Sequence, residues 1–140
     1  MRDIENYVIN AVNNAVTARY PSAEVSGEYI EQPASFPHVF VLQINKSDVS
    51  SYISTSGISS AQDVTIQVII YSNRLGTAKS ECKDIAETVD EAMKEMRFRL
   101  SYQAHVPNFD TRIYRLIRRY VGTVRVSANG DEDYLTVTPR

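Results

Sequence analysis

Residues 109–126 read FDTRIYRLIRRYVGTVRV, a long β-branched and aromatic run in which arginine recurs at 112, 115, 118, 119 and 125. Such a composition favours an extended strand, and successive side chains of a strand point to opposite faces. Arg115, Arg119 and Arg125 therefore share a face with Ile117, Val121 and Thr123. That face is mixed, basic and apolar, where a phosphate-binding groove would be continuously cationic. Arginine and tyrosine are also the residues enriched where proteins meet proteins, so the strand predicts a subunit or partner interface carried by Arg112, Tyr114, Arg115, Arg119 and Arg125.

Upstream of this strand the periodicity changes. From residue 77 to 97, Ala78, Cys82, Ile85, Ala86, Val89, Met93 and Met96 recur at helical spacing, while Glu81, Asp84, Glu87, Glu91 and Glu95 fall on the other side. Asp90 and Lys94 are ordered as a stabilising i,i+4 pair. Residues 98–105 then alternate as a strand that Pro107 ends. A first amphipathic helix spans 3–19, striped by Ile4, Tyr7, Val8, Ala11, Val12, Ala15 and Val16 and stopped at Tyr20-Pro21. Strands are expected over 24–30, 38–44 and 63–72, and Ile69 and Tyr71 make the second face of the last partly apolar, as if it too were covered. Asn129-Gly130 predicts a hairpin between 121–126 and 134–137.

Residues 45–62 are too long for an ordinary hairpin connection and are rich in serine, yet Val49, Tyr52, Ile53 and Ile58 give them apolar contact points. They predict an extended hairpin arm that orders against a partner, with Tyr52 and Ile53 at the contact. The whole chain, 1–140, reads as one α+β domain with two helices on one face of a mainly antiparallel sheet. Its expected core includes Val8, Val12, Ile66, Val68, Ile85, Val89, Leu100 and Leu116.

Composition narrows the function. A net charge of −2 lacks the cationic bias of a dedicated nucleic-acid binder. The start of the chain resembles a charged helix rather than a signal peptide, so synthesis in the cytosol is expected, and no run is long enough to cross a bilayer. The lone Cys82 falls on an apolar helix face and reads as a small buried hydrophobe. His38 and His105 lie far apart with no carboxylate or cysteine at metal-ligand spacing. Gly76-Thr-Ala-Lys79-Ser80 lacks the glycines of a phosphate-binding loop, and no serine sits in a nucleophile turn. No catalytic, cofactor or metal site is expected. The carboxylates at 81, 84, 87, 91 and 95 read as a solvated helix face that in a ring could wall a channel and repel a passing phosphate backbone.

The order of elements, the long arm and the strand with Ile113-Tyr-Arg-x-x-x-Arg-Tyr120 together resemble a tail terminator or tail-completion protein of a tailed bacteriophage, over most of the chain. Head–tail joining and neck proteins share the pattern. The resemblance implies a structural virion protein, not an enzyme, that is assembled in the host cytoplasm. It implies a homo-oligomeric ring, hexameric, that caps the tail tube, meets neck or connector proteins where the head docks, and lets DNA through its channel without specific binding. The alternatives left by the residues themselves are a head–tail connector, and a small nucleic-acid-binding or ligand-binding α+β domain.

Overall fold

The computed structural model describes residues 3–28, 36–48, 61–74, 76–105, 112–126 and 132–134. Helix α1 (Ile4–Arg19) starts where Asp3 Oδ1 accepts the Glu5 N–H at 2.9 Å, satisfying one of the free donors of the first turn. Ile4, Val8, Val12 and Val16, four residues apart, form its buried stripe. Helix α2 (Ala78–Glu95) buries Cys82, Ile85, Ala86, Val89 and Met93. It closes on Arg97, whose φ of 66° lets the Phe98 N–H turn back to the Met93 carbonyl at 2.9 Å.

The strands are β1 (Glu24–Ser26), β2 (His38–Asp48), β3 (Ala61–Ser72), β4 (Arg99–His105), β5 (Tyr114–Val126) and β6 (Glu132–Tyr134). They form one sheet in the order β1-β2-β3-β5-β4, with β6 also paired to β5. Among the described residues only the β1–β2 pairing is parallel. The central strands alternate as their sequence predicts. Val64, Ile66, Val68 and Ile70 of β3 and Leu116, Tyr120 and Val124 of β5 face the stripes of both helices in one core. The fold is therefore α+β, with α1 and α2 on the same face of a mainly antiparallel sheet.

The opposite face carries a second, smaller cluster of Phe40, Ile69, Tyr71 and Ile113, with Phe36, Leu42 and Ile117 packed against it. This is the covering that the apolar Ile69 and Tyr71 led us to expect.

Several boundaries differ from the sequence reading. The strand expected from 24 to 30 ends at Ser26, just before Gly27, where an added Cβ would meet Ile9 Cδ1 at 2.6 Å. The arm was expected to begin at 45, but β2 and β3 stay paired beyond a bulge between Gln43 and Asn45, out to Asp48 opposite Gln62. Residues 49–60, with Tyr52 and Ile53, lie outside the described residues. The basic strand starts at Tyr114, after a turn that holds Arg112. Tyr134, where the last strand was expected to start, pairs with Val124, and the pairing takes in Asp133 and Glu132 before it; Asn129-Gly130 and residues 135–137 lie outside the described residues.

Leu100 is the one expected core residue that is not buried. It is 39% exposed because β4 is the edge strand, beyond the cover of α2. Phe98 takes the buried position instead, its ring lying against Gly122, where a Cβ would come within 2.6 Å.

Candidate subunit interface

The register of β5 divides the arginines. Odd-numbered residues from Ile113 to Arg125 lie on the sheet face away from the helices, and even-numbered residues lie under α2. Arg115, Arg119 and Arg125 are thus on the outer face together. Tyr114 is on the other, packed against the main core and stacked on His105 at 4.3 Å between ring centroids. Burial raises the pKa of the Tyr114 phenol. The structure therefore does not bring Tyr114 and Arg115 to a common surface, as adjacent strand residues cannot share one.

On the outer face, one row crosses four strands: Tyr102 of β4, Arg119 of β5, Gln67 of β3 and Leu42 of β2. Arg119 Nε donates to Gln67 Oε1 at 3.0 Å, and its guanidinium lies 4.9 Å from the Tyr102 ring centroid. Both side chains are exposed. The neighbouring row on one side is Ala104, Ile117, Ile69 and Phe40, the last three of which are in or against the apolar cluster. On the other side the face turns polar, with Thr123 Oγ1 donating to Asp63 at 2.8 Å, and Arg99 and Arg125 exposed at its margin. Arg115 is half-buried beside Tyr71, and its Nε has no hydrogen bond among the described residues.

The carboxylates of α2 do not form one uniform wall. Glu81 accepts from Ser72 at 2.8 Å and pairs with Arg74 at 3.3 Å, tying the helix start to the end of β3. Glu87 pairs with Arg118 at 3.3 Å. Asp84, Glu91 and Glu95 are exposed, and no cation meets them among the described residues. Glu91 and Glu95 border a groove of about 470 Å³ between α1 and α2, whose lining also includes Ala11, Ala15, Ala92 and Met96.

The sequence profile of the family described as tail completion protein gp17 matches residues 10–128. The chain belongs to that family. Membership makes it a structural component of a bacteriophage tail. No curated protein matches the chain. Among solved structures it is similar to the PVC sheath/tube terminator of an extracellular contractile injection system in the extended state, with a TM-score of 0.32 and 11% identity. That likeness covers 94% of this chain but only 62% of the terminator.

In this tail completion family member, sequence reasoning missed Arg118 as a distinct residue. It is 8% exposed, held between β5 and α2. Its guanidinium donates to Gln103 Oε1 at 2.7 Å, the Ala86 carbonyl at 3.2 Å and the Tyr120 hydroxyl at 3.3 Å. The Tyr120 hydroxyl in turn donates to Asp90 at 3.0 Å, and Lys94 holds the other Asp90 oxygen at 2.8 Å. Burial pushes the Tyr120 phenol up to about 12, so it stays a neutral donor. Burial works against ionisation of Asp90, but hydrogen bonds from Lys94 and Tyr120 and the charges of Lys94 and Arg118 outweigh it and hold the carboxyl below its usual range. Arg118 is thus a satisfied structural tie, withdrawn from any partner. The signal that could have found it is parity: it alternates with Leu116 and Tyr120, the more apolar stripe of β5.

Proposed function

We propose that this chain forms a closed homo-oligomeric ring, hexameric, that caps the finished tail tube and offers the surface on which the head or its neck proteins dock. Supporting this most directly is the outer sheet face, where Arg99, Arg119 and Arg125 stand exposed without an anionic partner among the described residues, beside apolar side chains and Tyr102. Such a surface suits protein contact. Family membership supplies the setting, the virion tail.

A face used by each copy against a different face of the next is heterologous, and heterologous association must close if it is not to grow into a filament. In this reading DNA passes through the ring without specific contacts, and assembly takes place in the host cytoplasm. Residues 45–62 serve as the arm that orders against a neighbour.

Native mass measurement with negative-stain imaging tests the reading. A single closed species, binding to the end of isolated tail tubes, is expected. A chain that stays monomeric at high concentration and in the presence of tubes would overturn it.

A further inference from the structure

Two surfaces on opposite sides of the molecule are complementary. The first is the groove between α1 and α2. Its alanines at 11, 15 and 92 leave room that larger side chains would fill, and Glu91 and Glu95 stand exposed along it. Arg19 is also in its lining, engaged with Thr88 at 3.4 Å, so two carboxylates against one guanidinium leave the groove net negative. The second surface is the end of the outer sheet face where Tyr102, 45% exposed, projects from the edge strand under the Arg119 guanidinium. Arg99, opposite Val121 of β5, lies on the same face. One surface is concave and acidic, and the other joins an exposed aromatic ring to two cations.

From this we infer that the α1–α2 groove of one subunit receives Tyr102 of the next, with Glu91 and Glu95 facing that neighbour's Arg99 and Arg119. The inference rests on the ring reading and names its contact. The occupant is a second copy because a single chain carries both halves. They lie on opposite layers, helices on one side of the sheet and Tyr102 on the other, so they cannot meet within one molecule or in a two-fold dimer that uses the same patch twice. Each subunit offers a groove to one neighbour and a ring to the other. Tyrosine and arginine are among the side chains enriched at interface hot spots, and carboxylate–guanidinium pairs fix register and exclude wrong partners. Glu91 and Glu95 then face a neighbour and do not line the channel.

Charge reversal in the full chain tests this. One variant carries Arg99→Glu and Arg119→Glu, and another carries Glu91→Lys and Glu95→Lys. All four positions are exposed, so both variants should keep the circular-dichroism spectrum of the wild type. Each alone should sediment as a monomer. A chain carrying all four changes restores opposite charges across every contact and should assemble again. An equimolar mixture of the two variants should also assemble, with the two alternating, if the subunit number is even. Tyr102→Ala should weaken association by about tenfold or more. Either variant assembling like the wild type would overturn the inference, as would a folded fourfold variant that stays monomeric while the wild type forms rings. A wild type that forms no rings at all overturns the ring reading itself, and this contact with it.

Discussion

Replacing Arg118 by methionine should destabilise the fold by about 3 kcal/mol. Methionine keeps most of the side-chain volume and adapts to irregular space, so little of the effect comes from a cavity. The loss is polar. The Ala86 carbonyl and the Tyr120 hydroxyl each lose a buried hydrogen bond, at about 1 kcal/mol apiece. Asp90 loses the cation 3.7 Å away but keeps Lys94 and Tyr120, which limits its share to about 1 kcal/mol more. Glu87 is 69% exposed and returns to water at almost no cost. With a urea slope of about 2 kcal/mol/M for a domain of this size, the unfolding midpoint should fall by about 1.5 M at unchanged slope. Arg119→Met, on the exposed face, should lose less than about 1 kcal/mol in the same assay. The competing expectation is specific, because buried charges replaced by an apolar side chain are sometimes neutral or stabilising. An Arg118→Met midpoint equal to that of the wild type, or to that of Arg119→Met, would refute the idea that this guanidinium ties β5 to α2.

Two further outcomes follow from burial. Ile85→Ala should cost about 2–5 kcal/mol of unfolding free energy and Leu100→Ala less than about 1, measured by urea denaturation, since the first side chain is wholly enclosed and the second stands on the sheet edge. His38 is buried with Nε2 3.0 Å from Ser26 Oγ and no hydrogen bond at Nδ1 among the described residues, and burial lowers its pKa against the opposing charge of Glu24. A depressed histidine favours the unfolded state once that state protonates, so stability is whole above the ordinary value of 6.5 and declines as pH falls below it through the folded value. Urea midpoints compared at pH 7.5 and 5 should show this decline, and His38→Gln should reduce it.

The parts of the fold legible in the sequence are those where one periodicity has one cause. Ile4, Val8, Val12 and Val16 can share a face only on a helix, and Val64, Ile66, Val68 and Ile70 only on a strand. Local pattern marked only weakly, by the more apolar even-numbered stripe, which face of β5 the helices cover. Leu116, Tyr120 and Val124 compete there with Ile113, Ile117 and Val121, and both sides are in fact apolar because the sheet carries two clusters. Tyr114 and Arg118 share the parity of Leu116 and Tyr120 and so lie on the covered side, leaving Arg115, Arg119 and Arg125 outside. Position within the sheet was equally hidden. Leu100 alternates like a core residue, but alternation cannot report that its strand is the last in the order. Pairing of Asp90 with Lys94 needed only helical spacing, and it forms at 2.8 Å.

The same geometry bears on whether subunits join by faces or by edges. A sheet edge invites pairing with another chain wherever its backbone groups are free and regularly spaced. On β2, beyond the short β1, the Gln43 N–H is already taken by Glu5 Oε2 of α1 at 2.8 Å. On β4, the ladder to β5 shifts register between Leu100 and Tyr102, and such a bulge bends and twists the strand that an incoming partner would have to follow. The two edges are thus poorly matched to each other. The shift has a second consequence: Leu100 pairs with Tyr120 on the helix side, and Tyr102 pairs with Arg119 on the outer side, although the two residues are separated by an even number of positions. Without the bulge, Tyr102 would share the side of Leu100. The irregularity that spoils edge pairing is therefore what carries the tyrosine to the arginine face, which favours contact through that face over continuation of the sheet from one subunit to the next.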